Sequence, residues 1–324
     1  MHSEAEAWFA ARTSVAGDWP RDLLLEHKAG TRVSVVLPAL NEENTVGRIV
    51  EQVHWGLGAG APENRRLVDE LVVLDSGSTD RTALVAAAAG ARVVHRDDVL
   101  PEIPAVRGKG EAMWRSLAAT DGDIVVFVDA DLQSFTQQYV TGLLGPLLTD
   151  PAVQLVKAVY ERPLVEGSTV VSAGGGRVTE LVARPLINLL WPALAGMVQP
   201  LAGEYAARRS LLETLPFPCG YGVEIALLVD TYEQHGLDAL AQVDLGVRVH
   251  RHHDESRLGR MSAEILRTAL ERAARRVDVT DLGVLGTSLT QFERAASGFA
   301  SRTHDVVAPE RPPMASIAAY AAGA

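Results

Sequence analysis

Short apolar runs and amphipathic stretches alternate at a regular cadence through the first half of the chain. RVSVVLPA (32–39), ELVVLDS (70–76), RVVHR (92–96) and DIVVFVD (123–129) are rich in β-branched residues. The longer runs are apolar at consecutive positions, the pattern of strands covered on both faces. Between them, NTVGRIVEQV (44–53) places Val46, Ile49, Val50 and Val53 at helical spacing, and GEAMWRSLAA (110–119) reads as another helix. STDRT after the second run predicts a helix with Ser78 or Thr79 as its N-cap. Strand alternating with helix in this way predicts right-handed βαβ units and a parallel sheet.

The pattern changes after residue 134. It predicts a helix over 135–148, a strand over 153–162, a glycine-rich turn into a helix over 171–180, a helix over 223–234, a strand over 241–250 and a helix over 263–277. Residues 1–30 read as a helical extension ending at Gly30, and the end of the chain, with APERPPM at 308–314, as a tail or an arm over a neighbour. The longest apolar stretch, LINLLWPALAGMV (186–198), is about five residues short of the ~18 needed to span a bilayer and contains Pro192. A buried helix pair or a subunit contact is its expected use.

Composition narrows the class. With 324 residues, 47% hydrophobic and 22% charged, the chain has the make-up of a soluble globular protein with one large α/β domain or two smaller ones. A net charge of −11 argues against nucleic acid as a partner and requires any anionic substrate to be met by local Arg and Lys. The single cysteine, Cys219, leaves no internal disulfide and fits a reducing cytoplasm. The N-terminus lacks the basic-then-apolar layout of a signal peptide, so neither export nor membrane insertion is expected.

The fourth run ends in two carboxylates, Asp129 and Asp131, within VVFVDADLQS (125–134). Ligands of open α/β sheets bind outside the carboxyl ends of the strands, so this pair stands where chemistry usually sits. If the strand continued through Ala130, both would point the same way. Like charges so close need a cation between them, or one retained proton. An isolated Asp-x-Asp is more often an acidic turn, so its neighbours decide. GLGAGA (56–61) matches the dinucleotide fingerprint in letters, but a helix precedes it and a polar loop follows, the wrong context. The candidate nucleotide site is instead spread over strand ends: LPALNEE (37–43), LDSGSTD (74–80), VRGKGEA (106–112) and DAD. Gly77 allows close backbone approach, Asp75 and Ser76 can bond a base or ribose, and Lys109 suits a base carbonyl or a diphosphate oxygen.

PALNEE, LDSGSTD, GKGEA and DADLQS, in that order, resemble the nucleotide-sugar-dependent glycosyltransferases of the GT-A fold. GGGRVTEL (174–181), GYGVE (220–224) and RVHRHH (248–253) are similar to the glucosyl-3-phosphoglycerate synthase family, over residues 31 to 265. The resemblance implies an α/β GT-A domain, Rossmann-like, with a mostly parallel sheet flanked by helices. Its parts would be a helical extension (1–30), a nucleotide-sugar half (31–150), an acceptor and metal half (151–265), and a C-terminal helix and tail (266–324) making an oligomer contact. It implies transfer of glucose from UDP-glucose to the 2-hydroxyl of 3-phospho-D-glycerate, with retention, giving glucosyl-3-phosphoglycerate for methylglucose lipopolysaccharide synthesis.

The same resemblance assigns residues. Asp131, Glu224 and Lys109 are the implied catalytic residues. Pro38, Ala39, Leu40, Glu42, Ser76, Lys109, Asp129, Ala130, Tyr221 and Glu224 are the implied UDP-glucose contacts. Gly176, Arg177, Val178, Thr179, Arg248 and His252 would hold 3-phosphoglycerate. Asp131 and His250 would ligate Mg²⁺, with Mn²⁺ able to serve as well. His252 stands where the family pattern has Asn, a departure on the acceptor side. The family also implies a homodimer. Two competing readings are a polyprenyl-phosphate sugar transferase, which would want a membrane-facing segment that the sequence lacks, and a nucleotide-sugar sensor without turnover.

Overall fold

The computed structural model describes residues 3–161, 164–166, 169–171, 176–248, 255–275, 288–295 and 298–321. Helix α1 (Ser3–Arg12) buries Ala5 and Trp8, and the Trp8 indole N–H donates to the Leu240 carbonyl at 3.0 Å. The chain then enters β1 (Thr13–Val15) and, past a 3₁₀ turn, α2 (Arg21–Lys28). Strand β1 pairs in parallel with residues 242–244. The N-terminal stretch, expected to be wholly helical, therefore supplies an edge strand; three residues are too few to show a period.

The predicted alternation follows: β2 (Val33–Ala39), α3 (Val46–Gly56), β3 (Glu70–Asp75), α4 (Thr82–Ala88), β4 (Arg92–His95), α5 (Lys109–Ala118), β5 (Ile124–Phe127) and α6 (Gln138–Thr149). Next come β6 (Leu155–Glu161), the hairpin β7 (Leu164–Glu166) and β8 (Thr169–Val171), and a π-helical turn (Thr179–Ala183) running into α7 (Arg184–Leu190). Then β9 (Tyr205–Arg208), α8 (Arg209–Leu212), β10 (Phe217–Pro218), α9 (Val223–His235), β11 (Leu240–Val247) and α10 (Glu255–Ala273) complete the site-bearing part. A hairpin, β12 (Ser288–Ala295) and β13 (Gly298–Asp305), precedes β14 (Glu310–Arg311) and α11 (Ala318–Ala321).

Eight strands form one sheet in the order β1-β11-β6-β9-β5-β2-β3-β4. Every neighbouring pair is parallel except the two made by β9, which is antiparallel to both β5 and β6. Residues of β5 alternate between two cores: Ile124 and Val126 face the α2, α3 and α6 side, Val125 and Phe127 the α5 and α9 side. Apolar runs covered on both faces thus take the middle of the sheet, as such runs predict. The direction of β9 has a direct consequence. Its first residue, Tyr205, pairs with Phe127 at the end of β5 and with Lys157 in β6, so Gly203 and Glu204 arrive at the edge where the parallel strands end.

Two element boundaries differ from the expected ones. Helix α4 starts at Thr82, not within 78–80, because Ser78 is turned back by Asp75 while Asp80 accepts the Thr82 N–H at 2.9 Å. Strand β5 stops at Phe127, two residues short of Asp129. The C-terminal stretch is docked on its own chain, with β14 paired to β10 and Met314 fully buried. The 186–198 run breaks at Pro192 into α7 and a 3₁₀ turn packed on α1, with Leu189 left 79% exposed.

Candidate active site

The loops after β2 and β3 are laced together. Asn41 takes a left-handed backbone, φ 60°, which Asn tolerates. Its N–H donates to Ser78 Oγ at 3.0 Å, and its side-chain oxygen accepts the Thr79 N–H at 2.8 Å. The Glu42 and Glu43 amides donate to Thr82 Oγ1 (2.7 Å) and Asp80 Oδ2 (3.2 Å). These bonds hold Pro38, Ala39, Leu40 and Glu42 beside Ser76, whose N–H donates to the Ala39 carbonyl at 2.9 Å. Leu40 is exposed, while Asp75 is buried with its carboxylate committed to Ser78. Asp75 therefore holds the turn that follows β3.

Thr45 Oγ1 donates to the Ala130 carbonyl at 2.6 Å and pulls the chain after β5 into a turn. Asp129 and Asp131 leave strand geometry, so alternation does not align them. A shared cation does. Arg248 Nη2 lies 3.1 Å from Asp129 Oδ2 and 3.4 Å from Asp131 Oδ1. Lys109, the first residue of α5, places Nζ 2.5 Å from Asp129 Oδ1 and 3.0 Å from Glu224 Oε1 in the first turn of α9. The structure thus brings Lys109, Asp129, Asp131, Glu224 and Arg248 into one ion-pair cluster.

The cluster also includes residues that the sequence did not single out. Arg248 Nη1 donates to Glu204 Oε2 (3.0 Å) and Tyr160 Oη (2.8 Å), and its guanidinium lies 5.2 Å from the Tyr160 ring. Glu204 is fully buried, and its Oε1 has no hydrogen-bond partner among the described residues. Gly203 is a close-approach glycine: a Cβ there would sit 2.4 Å from Asp129 Oδ2 and 2.5 Å from Lys109 Nζ. Below, Lys157 donates to the Ala202 carbonyl at 2.6 Å and lies 4.7 Å from the Tyr205 ring centre. A lysine inside the apolar LVKAVY run was the one available signal. Glu204 had none, because its neighbours are set by the direction of β9.

Burial and charge act against each other here. Burial opposes ionisation of Asp129, yet Lys109 and Arg248 outweigh it and hold its carboxyl well below the usual range. Burial likewise works against the Lys109 ammonium, but Asp129 and Glu224 raise its pKa well above the ordinary value. Burial pushes the Glu204 carboxyl up despite Arg248. With every group ionised, four carboxylates (Asp129, Asp131, Glu204, Glu224) meet three cations (Lys109, Arg248 and, beneath them, Lys157), leaving one surplus negative charge before any substrate anion enters. A divalent cation fits this surplus, and Asp131, with its side chain 39% exposed, is open to one. Among the described residues no three His, Cys, Asp or Glu converge as a ligand set. Carboxylate oxygen with substrate oxygens is the donor set that Mg²⁺ and Mn²⁺ accept.

The remaining predicted residues divide by location. Gly176 has φ 84° and its carbonyl accepts the Glu180 N–H at 3.0 Å. Arg177 is exposed where the helix starts, whereas Val178 and Thr179 are buried at 7% and 2%. The Val178 side chain belongs to the core, which leaves its backbone for any ligand contact. Tyr221 is half-buried, and its N–H donates to Glu264 Oε2 at 2.8 Å. His250 and His252, together with Gly174 and Gly175, lie outside the described residues.

Residues 34–173 match the family model described as glycosyl transferase family 2. Glucosyl-3-phosphoglycerate synthase from Mycolicibacterium smegmatis is 53% identical over 290 residues, covering 90% of this chain and 91% of that protein. A crystal structure of glucosyl-3-phosphoglycerate synthase from Mycobacterium tuberculosis in complex with Mn²⁺, uridine-diphosphate-glucose and phosphoglyceric acid superposes with a TM-score of 0.78. It is 49% identical, over 91% of this chain and 94% of that one. The same enzyme in complex with Mg²⁺ and uridine-diphosphate gives a TM-score of 0.81 at 48% identity, over 94% and 98% of the two chains. Identity of this order along nearly the whole of both sequences, on a mixed sheet with its charges gathered at the strand ends, leaves one assignment: the chain belongs to the glucosyl-3-phosphoglycerate synthase family.

Proposed function

We propose that this chain transfers glucose from UDP-glucose to the 2-hydroxyl of 3-phosphoglycerate, with retention, giving glucosyl-3-phosphoglycerate. One observation carries the reading: a protein 49% identical over 91% of this chain has been seen with UDP-glucose and phosphoglyceric acid bound together. Pro38, Ala39, Leu40, Glu42, Ser76, Asp129, Ala130 and Tyr221 line the donor side. Lys109, kept charged between Asp129 and Glu224, presents a fixed cation to the departing diphosphate, and needs no reorganisation to do so. Glu224 orients the glucosyl unit through the same pair. Retention by attack from the face that UDP leaves requires no protein nucleophile.

Asp131 and His250 would hold the divalent cation, and when bound it supplies positive charge against the departing diphosphate. Gly176, Arg177, Val178, Thr179 and His252 form the acceptor side. Arg248, already bonded to both Asp129 and Asp131, stands between the acceptor and metal sides. The enzyme works in the cytoplasm as a homodimer; among the described residues no helix is long and apolar enough to cross a membrane. Exposed Leu181 and Leu189 offer an apolar face for self-association. The test is a grid of donors and acceptors assayed with and without EDTA. UDP-glucose with 3-phosphoglycerate should give the highest turnover, lost on chelation. Transfer to a polyprenyl phosphate, or binding without product, would replace this reading.

A further inference from the structure

The C-terminal segment is tied to the loop that carries Lys109. Strand β14 pairs with β10, placing Arg311 opposite Phe217 and Glu310 opposite Pro218, and the Cys219 N–H donates to the Pro309 carbonyl at 3.0 Å. The Trp114 indole donates to the Pro312 carbonyl at 2.9 Å. Arg311 reaches across to α5. Its Nε donates to Glu111 Oε2 at 2.7 Å, and its Nη2 to Glu111 Oε1 at 2.9 Å and to the Pro104 carbonyl at 2.6 Å. The guanidinium also lies 5.1 Å from the Trp114 ring.

Glu111 is fully buried, two residues after Lys109. It also accepts from Arg115 Nε at 2.7 Å and from the Val106 N–H at 3.3 Å. Arg115 in turn donates to the carbonyls of Val99, Leu100 and Ile103. Glu111 is thus the carboxylate on which Arg115, Arg311 and the Val106 amide converge, while Arg96 Nη1 ties the same loop at the Val106 carbonyl (3.4 Å). The loop is also pressed onto the strand that leads to Tyr221 and Glu224. A Cβ on Gly108, whose φ is 132°, would lie 2.0 Å from the Cys219 carbonyl oxygen, and one on Gly110 would lie 1.9 Å from that of Pro218. The C-terminal segment grips both pieces, through β10 on one side and Glu111 on the other.

We infer that Arg311 is a positioning residue for the donor site: by clamping Glu111 it fixes Lys109 against Asp129 and Glu224. Segment 309–314 then serves the nucleotide-sugar site of its own chain. A charged fork bonded to both oxygens of a carboxylate sets orientation as well as position, which a lysine cannot reproduce. The inference rests on reading Lys109 as a donor contact.

The test compares Arg311→Lys and Arg311→Ala with Lys109→Ala, using the intact chain. Cys219, the single cysteine, is fully buried beneath the segment and reports its docking through reaction with a disulfide reagent. For Arg311→Lys we expect a thermal midpoint above assay temperature and faster Cys219 modification. The KM for UDP-glucose should rise roughly tenfold or more, with the KM for 3-phosphoglycerate moving by about twofold at most. UDP affinity by calorimetry should fall in step with the donor KM. If Cys219 opens and the midpoint drops while donor KM and UDP affinity hold, Arg311 is only structural and the inference fails. If Arg311→Ala does not fold, Arg311→Lys still decides. Lys109→Ala with an unchanged donor KM would overturn the reading beneath the inference, a result distinguishable from failure of Arg311 alone.

Discussion

Gly203 stands where the antiparallel strand begins, and a side chain there would meet charge. An Ala Cβ would fall 2.4 Å from Asp129 Oδ2 and 2.5 Å from Lys109 Nζ, both ends of side chains able to yield. The fold should survive, but the ion pair would be pushed out of register. Gly203→Ala is therefore expected to lower kcat/KM for UDP-glucose about tenfold, equivalent to ~1.4 kcal/mol, with urea unfolding nearly unchanged. Unaltered donor kinetics would place the pair outside the donor site. Lys157 makes a different case. Buried with a carbonyl and a ring for neighbours, its pKa is lowered to about 8 by burial. The folded state then binds fewer protons than the unfolded chain between about 8 and 10.5, so this group's contribution to stability rises with pH across that window. Below it, the cost of burying the ammonium is fully present. Relative to wild type, Lys157→Met should gain more stability at pH 7 than at pH 10, by up to ~3 kcal/mol from 1.36 kcal/mol per pKa unit. Denaturant titrations at the two pH values check the sign.

The elements differ in how well they can be read from the chain. Strands β2, β3 and β5 were legible because both faces are covered and their residues are β-branched. Strand β9 was not: its four residues are Tyr, Ala, Ala and Arg, and alanine favours no strand. With β9 unseen, its antiparallel direction and the arrival of Glu204 at the site were unseen too. Arg248 meets Asp129 across 119 positions of sequence and Glu204 across 44, distances that no local pattern spans. The motifs bearing Lys109, Asp129, Asp131 and Glu224 were legible as motifs, but their union through Lys109 and Arg248 required the fold. The segment leading into the turn at Thr179–Ala183 carries the element-scale prediction. A charged hydrogen bond is worth ~1.5–3 kcal/mol, so loss of the exposed Arg177 should cost roughly ten- to a hundredfold in kcat/KM for 3-phosphoglycerate. Glycerate without its phosphate provides the contrast. Arg177→Ala should handle it no worse than wild type does, and equal losses on both acceptors would show that this turn does not read the phosphate.

At the scale of the whole molecule, a chain of net charge −11 must bring together two anionic substrates at a cluster that is itself negative. Long-range attraction cannot do this, so binding has to be assembled from local charge. The described residues offer Asp131 as an open carboxylate and no convergent set of three ligands. A divalent cation should therefore bind the protein weakly alone, and UDP alone should face Asp131, whose charge is offset only by an Arg248 shared with Asp129 and Glu204. Together each removes the other's penalty, and linkage makes the benefit reciprocal. Mn²⁺ and UDP added together should raise the thermal midpoint by more than the sum of their separate shifts, because stabilisation follows the ratio of ligand concentration to Kd. Calorimetry should find that UDP tightens Mn²⁺ by the same factor by which Mn²⁺ tightens UDP. Asp131→Ala removes the proposed metal ligand and no core volume, so it should fold normally, lose the excess midpoint shift and lose turnover. Additive shifts in the wild-type protein would take the metal away from the space between Asp131 and the diphosphate, and the surplus charge would then have to be met by protons.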